Sequence, residues 1–309
     1  MRVLSIDGGG IRGIIPAMVL AEIEARTQRP IAGLFDLVAG TSTGGILACG
    51  LTIPGARPAA ELVDLYLTRG PEIFRRPLWR RVSTADGLVD TRHDPAALQR
   101  VLGDYLGAAR LADATTCLLA TGYDLASRQP YFFKSWRVAE EPARDLAMVT
   151  VAQATAAAPT YFPPVPVHPP GGGPSLALID GGVFANNPAM CAYAEAVRLA
   201  PGEPVTLVSL GTGEQTHLMP FAETEHWGLV EWARPIIDVV FDGISDTVDY
   251  QLRHLLGEGY TRLQCRLDDA SDALDDASAG NLRRLVAQAQ ALVAEQDAEL
   301  DAVCAVLAA

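Results

Sequence analysis

In residues 35–51, FDLVAGTSTGGILACGL, an apolar run passes through Gly40-Thr41-Ser42-Thr43-Gly44-Gly45 and returns to residues that suit a helix. One serine hemmed in by small residues is either a tight packing joint or a hydroxyl presented on a sharp turn. The spelling Gly40-x-Ser42-x-Gly44 between strand and helix has the form of a nucleophile elbow, where neighbouring backbone leaves no room for side chains beside a strained serine. A helix starting there would aim its N-terminal amides at the serine and stabilise an alkoxide or an oxyanion during acyl transfer. G-x-S-x-G is common, however, and alone it fits a glycine-rich joint with an incidental serine better.

Two further stretches could share the chemistry. Asp7-Gly8-Gly9-Gly10-Ile11-Arg12-Gly13 carries three successive glycines, whose unshielded amides and access to positive φ let a turn wrap an anion. It also spells the dinucleotide fingerprint G-x-G-x-x-G. That fingerprint wants an acidic residue at the end of the next strand, where this chain has Val38-Ala39-Gly40. A phosphate-binding Walker loop is disfavoured too, since no G-K-[ST] follows a glycine run. Leu178-Ile179-Asp180-Gly181-Gly182 sets a carboxylate at the end of an apolar strand beside glycines that leave it open. An isolated D-G-G is simply a capped turn.

The elements that must position these residues follow from periodicity. Strands are expected at 3–6 and 35–39, each ending in glycines and followed by a helix, at 14–26 and 43–51. Strand, glycine turn and helix thus occur twice in about fifty residues, the signature of a parallel α/β sheet whose site gathers at the carboxyl ends of its strands. Asp180 would then emerge on the same sheet edge as Ser42. Beyond lie TTCLLATGYDL and QPYFFKSW as strands joined at Ala126-Ser127-Arg128, DLAMVTVAQATAA as a helix, and a loop with seven prolines from Pro159 to Pro174. SLALID and VTLVSLGTG read as strands, and a helix opens after NNP. Apolar residues at helical spacing mark 226–256, where Trp232, Ile236, Ile237, Val240, Ile244, Val248, Leu252 and Leu255 form a stripe, and one last helix is expected over 280–307. No repeat and no long polar linker divides the chain, so one domain over 1–309 is expected, with a motif-bearing core at 2–213 and a helical part at 226–309.

Together, DGGGIRG, GTSTGG and IDGGVFANNP, with ATAAAPTYFPPV before the aspartate and VSLGTG after it, resemble the patatin-like phospholipases. The resemblance is strong over 2–213 and weak beyond. It implies an α/β fold, a three-layer sandwich with a central, mostly parallel sheet flanked by helices. It also implies a lipid acyl hydrolase without metal or cofactor, using Ser42 as nucleophile, Asp180 as its base and a glycine-loop oxyanion hole at Gly8, Gly9 and Gly10, with Arg12 matching that loop's arginine. Gly40 and Gly44 flank the nucleophile. The substrate class would be a phospholipid or lysophospholipid. Bacterial relatives include defence effectors switched on by cyclic nucleotides, so a cyclic-nucleotide activator enters as an expectation of the same kind. Two other readings stay open: an α/β-hydrolase-type esterase with His217, His226 or His254 completing a triad, and a non-catalytic nucleotide-binding module using the loop from Gly8 to Gly13. A free aspartate is a weak base for a serine hydroxyl, so Asp180 would need desolvation among residues such as Ile179 and Val183.

The bulk properties bound these readings. With 24 basic and 37 acidic residues the formal charge is −13, which opposes binding of a nucleic-acid polymer. Five cysteines, Cys49, Cys117, Cys191, Cys265 and Cys304, have no C-x-x-C spacing and suggest neither a disulfide framework nor a zinc site. The amino terminus lacks the pattern of a signal peptide, and no apolar run reaches a membrane span, so a cytoplasmic protein is expected. In IFRRPLWRR, at 73–81, Arg75, Arg76, Arg80 and Arg81 flank Trp79. They suit peripheral contact with lipid headgroups at the inner membrane surface, or a loop with inward aromatics and solvated arginines, which is the simpler reading. The proline-rich loop could frame an acyl site or serve as a rigid connector, and DDASDALDD reads as a solvated turn rather than a calcium loop. The last helix could pack on the core or on a second subunit.

Overall fold

A computed structural model describes residues 1–55, 57–75, 91–214, 219–232 and 235–308. Its centre is an eight-stranded sheet made of β1 (Arg2–Ile6), β2 (Leu37–Gly40), β3 (Cys117–Asp124), β4 (Gln129–Lys134), β5 (Val165–Val167), β6 (Leu176–Asp180), β7 (Thr206–Leu210) and β8 (Tyr260–Leu263). The order is β5-β6-β3-β2-β1-β7-β8, with β4 also on β3. The five strands β3-β2-β1-β7-β8 are all parallel, while β4 and β6 run antiparallel to β3, and β5 antiparallel to β6. Nine helices longer than a single turn are described: α1 (Ile14–Thr27), α2 (Thr43–Thr52), α3 (Ala59–Ile73), α4 (Pro95–Leu106), α5 (Met148–Thr155), α6 (Ala189–Leu199), α7 (Pro235–Leu256), α8 (Ala279–Glu295) and α9 (Asp297–Ala308).

Alternation along the strands creates the layers. Leu4 and Ile6, Val38, Leu118 and Val208 bury one face under α1, α2, α5 and α8. Their neighbours Val3, Leu37, Ala39, Leu119 and Leu207 bury the other face against Ala189, Ala192 and Ala196 of α6 and Leu252 of α7. A sheet apolar on both faces needs helices on both, which gives the three layers. Helix α2 is apolar nearly all round, with nine of its ten residues buried, because it lies between the sheet and α3 and α5.

Several expectations need amendment. The proline-rich segment is not entirely loop: residues 165–167 pair with β6 as an edge strand, where Pro166 is tolerated because an edge residue can leave its nitrogen outside the ladder. The final helix is two helices that break at Gln296. Strand β8 carries Thr261 and Arg262 where a pattern reader looks for apolar residues, and Arg262 is buried through an ion pair with Asp7, Nη2 to Oδ2 at 2.6 Å. Within the 226–256 stripe the described helices are a single turn at Leu229–Trp232 and α7 at Pro235–Leu256. Its C-terminal half is anchored by buried Leu252, whereas Ile236, Val240 and Leu255 are exposed.

Candidate active site

The turn after β2 is as tight as its glycines suggest. Ser42 precedes α2 with φ 55 and ψ −123, a left-handed conformation that costs a non-glycine residue about 1–3 kcal/mol and needs surrounding structure to hold it. That structure is backbone at close quarters: a Cβ on Gly44 would lie 2.1 Å from the Ile6 carbonyl oxygen, and one on Gly40 would lie 2.1 Å from that of Gly44. The Ser42 amide donates to Thr155 Oγ1 at 3.0 Å, and Thr41 Oγ1 donates to the Ala185 carbonyl at 2.6 Å. Strand and helix are thereby tied to the segments on either side of Asp180.

Asp180 reaches Ser42 by a route different from the expected one. Strand β4 takes one edge of β3 across residues 119–124, so β2, on residues 117–120, and β6, on residues 122–124, share the opposite edge. They run in opposite directions, and β6 arrives head-on at the end of β2, with Gly40 beside Ala120 and Asp180 beside Gly122. The carboxylate thus comes to Ser42 on an antiparallel strand, not from a second parallel one.

The Asp180 side chain is fully buried, and its Oδ1 accepts from the Gly182 amide at 2.7 Å. Its Oδ2 makes no hydrogen bond of ordinary geometry, although the Ser42 hydroxyl is near enough to favour the charged carboxyl. Burial pushes the group up to about 7, against the smaller opposing pulls of that hydroxyl and of the Gly182 amide.

The glycine loop lies on the other side of the serine. Gly10, with φ +58, has the Leu274 carbonyl oxygen where a Cβ would stand, 2.2 Å away. Gly8 is not free to hold an oxyanion, since its amide donates to the Asn186 carbonyl at 3.0 Å and its carbonyl accepts from Thr212 Oγ1 at 2.7 Å. The amides of Gly9 and Gly10 donate to no group among the described residues, and both glycines line the cavity that holds Ser42 and Asp180. Arg12 braces the loop from behind, with Nε on the Gly9 carbonyl at 3.3 Å and Nη1 on that of Gly213 at 3.4 Å, and does not line that cavity.

From the Ser42–Asp180 pair the cavity extends between apolar walls that include Ile73, Phe74, Leu98, Leu102 and Phe162. It encloses about 700 Å³ including its open mouth, but the centre of a water molecule can occupy only about 50 Å³ of that, so it is a slot and not a chamber. Ala158, Tyr161 and Phe162 bring the start of the proline-rich segment into its wall, and the rest of that segment runs on to the sheet edge. The acidic 268–276 stretch is more than a solvated turn: the Leu274 carbonyl accepts from Ile11, Leu274 lines the slot, and Asp275 meets buried His93 Nε2 at 2.8 Å.

Thr155, Asn186 and Tyr66, whose hydroxyl meets Thr43 Oγ1, belong to the site but went unread. Thr155 stands inside the quoted ATAAAPTYFPPV stretch and Asn186 inside GVFANNP; Tyr66 has no local signature. Among the described residues no histidine lines the slot, and His226 and His254 are exposed. His217 lies outside the described residues, as do Arg76, Trp79, Arg80 and Arg81; Arg75 is exposed. No group of acidic, histidine or cysteine residues suited to a metal occurs among the described residues, and no helix among them is long and apolar enough to cross a membrane.

Residues 4–193 match the family model described as patatin-like phospholipase. Similar relatives include patatin-like protein 2 of Arabidopsis thaliana, 34% identical over 82% of this chain and 71% of that protein, and patatin-like protein 2 of Oryza sativa subsp. indica, 32% identical over 97% and 85%. Another, from Solanum tuberosum, bears the name probable inactive patatin-3-Kuras 1 and is 32% identical over 93% of this chain and 84% of its own length. Among solved structures, VipD from Legionella pneumophila aligns over 95% of this chain and 66% of its own, at 11% identity and a TM-score of 0.40, too distant to carry any argument.

Proposed function

The chain belongs to the patatin-like phospholipase family, which implies lipid acyl hydrolase activity, and on that premise we propose that Ser42 and Asp180 hydrolyse fatty-acyl esters of glycerophospholipids or lysophospholipids. A relative named as probably inactive means that membership alone does not supply activity, so the reading rests on the site. The observation that carries it is the unpaired Oδ2 of buried Asp180 beside a serine held in a strained conformation.

Ser42 Oγ attacks the ester carbonyl while its proton passes to Asp180 Oδ2. Burial supports this step, because a carboxylate near 7 is a far better base than one near 4. The Gly9 and Gly10 amides and the N-terminus of α2 face the negative charge on the tetrahedral oxygen, while the Gly8 amide holds the loop instead. The alcohol leaves with the proton from Asp180, and the acyl chain rests in the apolar slot. Water, deprotonated by Asp180, then attacks the acyl-serine, and Ser42 recovers its hydroxyl proton as the fatty acid leaves.

A cyclic-nucleotide activator and a defence role derive from the family resemblance alone and form no part of this proposal. Mass spectrometry of products from a mixed phospholipid extract tests the reading. Release of free fatty acid by the protein and not by Ser42→Ala is expected; equal release by both would refute it.

A further inference from the structure

We propose that residues 219–232 and 235–240 form a surface that docks on a lipid bilayer with neutral headgroups and brings the acyl slot against the membrane; this rests on the lipid-hydrolase reading above. Isolated exposed apolar residues are ordinary, but this one stretch exposes Phe221, Leu229, Trp232, Ile236, Val239 and Val240, with Phe221 78% and Leu229 93% exposed. Ile236, Val239 and Val240 follow one another at i, i+3 and i+4 on the same face of α7, and Trp232 sits edge-on to Trp227 at 5.2 Å. An indole with one apolar side and one polar edge suits the boundary between acyl chains and headgroups.

The patch continues into the site. The next residue of α7, Phe241, is buried in the wall of the slot, where a Cβ on Gly182 would come within 2.8 Å of its ring. Lipid reaching this face would therefore meet the same helix that borders Ser42 and Asp180. Charge selects the kind of bilayer: the sequence over 219–240 carries Glu223, Glu225, Glu231 and Asp238 against Arg234, a local balance of −3 in a chain of −13. An anionic surface would repel it, so phosphatidylcholine-like headgroups fit and phosphatidylglycerol-like ones do not.

The test is co-sedimentation of the full chain with phosphatidylcholine vesicles, comparing wild type with Leu229→Gln/Trp232→Gln/Ile236→Gln/Val240→Gln and using thermal melts to confirm that the variant folds. Wild type should bind neutral vesicles at least as well as phosphatidylglycerol vesicles. The variant should bind at least about tenfold more weakly. Its hydrolysis of vesicle lipid should fall in step, with hydrolysis of soluble p-nitrophenyl butyrate unchanged. Undiminished vesicle binding by the folded variant would overturn the proposal, and a misfolded variant would be replaced by the single Leu229→Gln change, read in the same way. Binding confined to anionic vesicles would also overturn it, as would a wild-type dimer that the variant dissolves while neither form binds lipid. If wild type fails on the soluble ester, the catalytic reading falls, and vesicle binding still decides the docking surface.

Discussion

The Ser42–Asp180 pair divides two demands between two residues: the serine is strained by its turn, and the aspartate is made basic by burial. With the carboxyl pushed up to about 7, the working, ionised form is lost as pH falls through 7, so kcat/KM for a soluble ester should drop about tenfold per pH unit below it. A flat profile between pH 5 and 8 would contradict that assignment. The same shift has a cost for stability. The folded protein keeps the Asp180 proton up to about 7, whereas the unfolded chain releases it near 3.8, so the stabilising contribution is complete below about 4 and is lost as pH rises through 7. Asp180→Asn should therefore melt higher than wild type at pH 8 and lose that advantage at pH 4. Both residues were legible in the sequence because small neighbours and a strand end mark them. Thr155 and Asn186 were not, since each works by reaching a backbone group distant in sequence.

At the scale of elements, the elbow depends on β1 passing directly beneath α2. Gly44→Ala would press a methyl group onto the Ile6 carbonyl, backbone that cannot swing aside, and should cost about 3 kcal/mol of stability and most ester hydrolysis, as read by thermal melts and initial rates. An unaltered melt would show that the joint is looser than described. The sequence announces this joint because only glycine fits there, but it is silent on strand direction: SLALID reads identically whether β6 runs with β3 or against it. Only the pairing of Gly122 with Asp180 reveals that the Asp180 carboxylate arrives antiparallel. The start of α7 was equally hidden, since exposed Ile236 and Val240 fall on the same apolar stripe as buried Leu252.

Across the whole molecule, a buried ion pair ties the glycine loop to the far edge of the sheet. Asp7 at the end of β1 binds Arg262 of β8 at 2.6 Å, Arg262 also donates to Ser209 Oγ at 2.8 Å, and burial raises the Asp7 carboxyl despite the arginine. Arg262→Met should destabilise the protein by about 3 kcal/mol in urea unfolding, because it leaves a lone buried carboxyl, and adding Asp7→Asn should restore part of the loss. Purely additive losses would deny the coupling. The parallel sheet was legible from two strand–glycine–helix units and the three layers were implied by the family resemblance, whereas β8 was hidden because its arginine reads as a surface residue until Asp7 is seen opposite. The central claim, that Asp180 activates Ser42, is tested most directly by intact-protein mass spectrometry during reaction with a fluorophosphonate. Wild type should gain one adduct, Ser42→Ala none, and folded Asp180→Asn one at least about 100-fold more slowly. Adduct formation on Ser42→Ala, or an Asp180→Asn rate equal to wild type, would contradict the account.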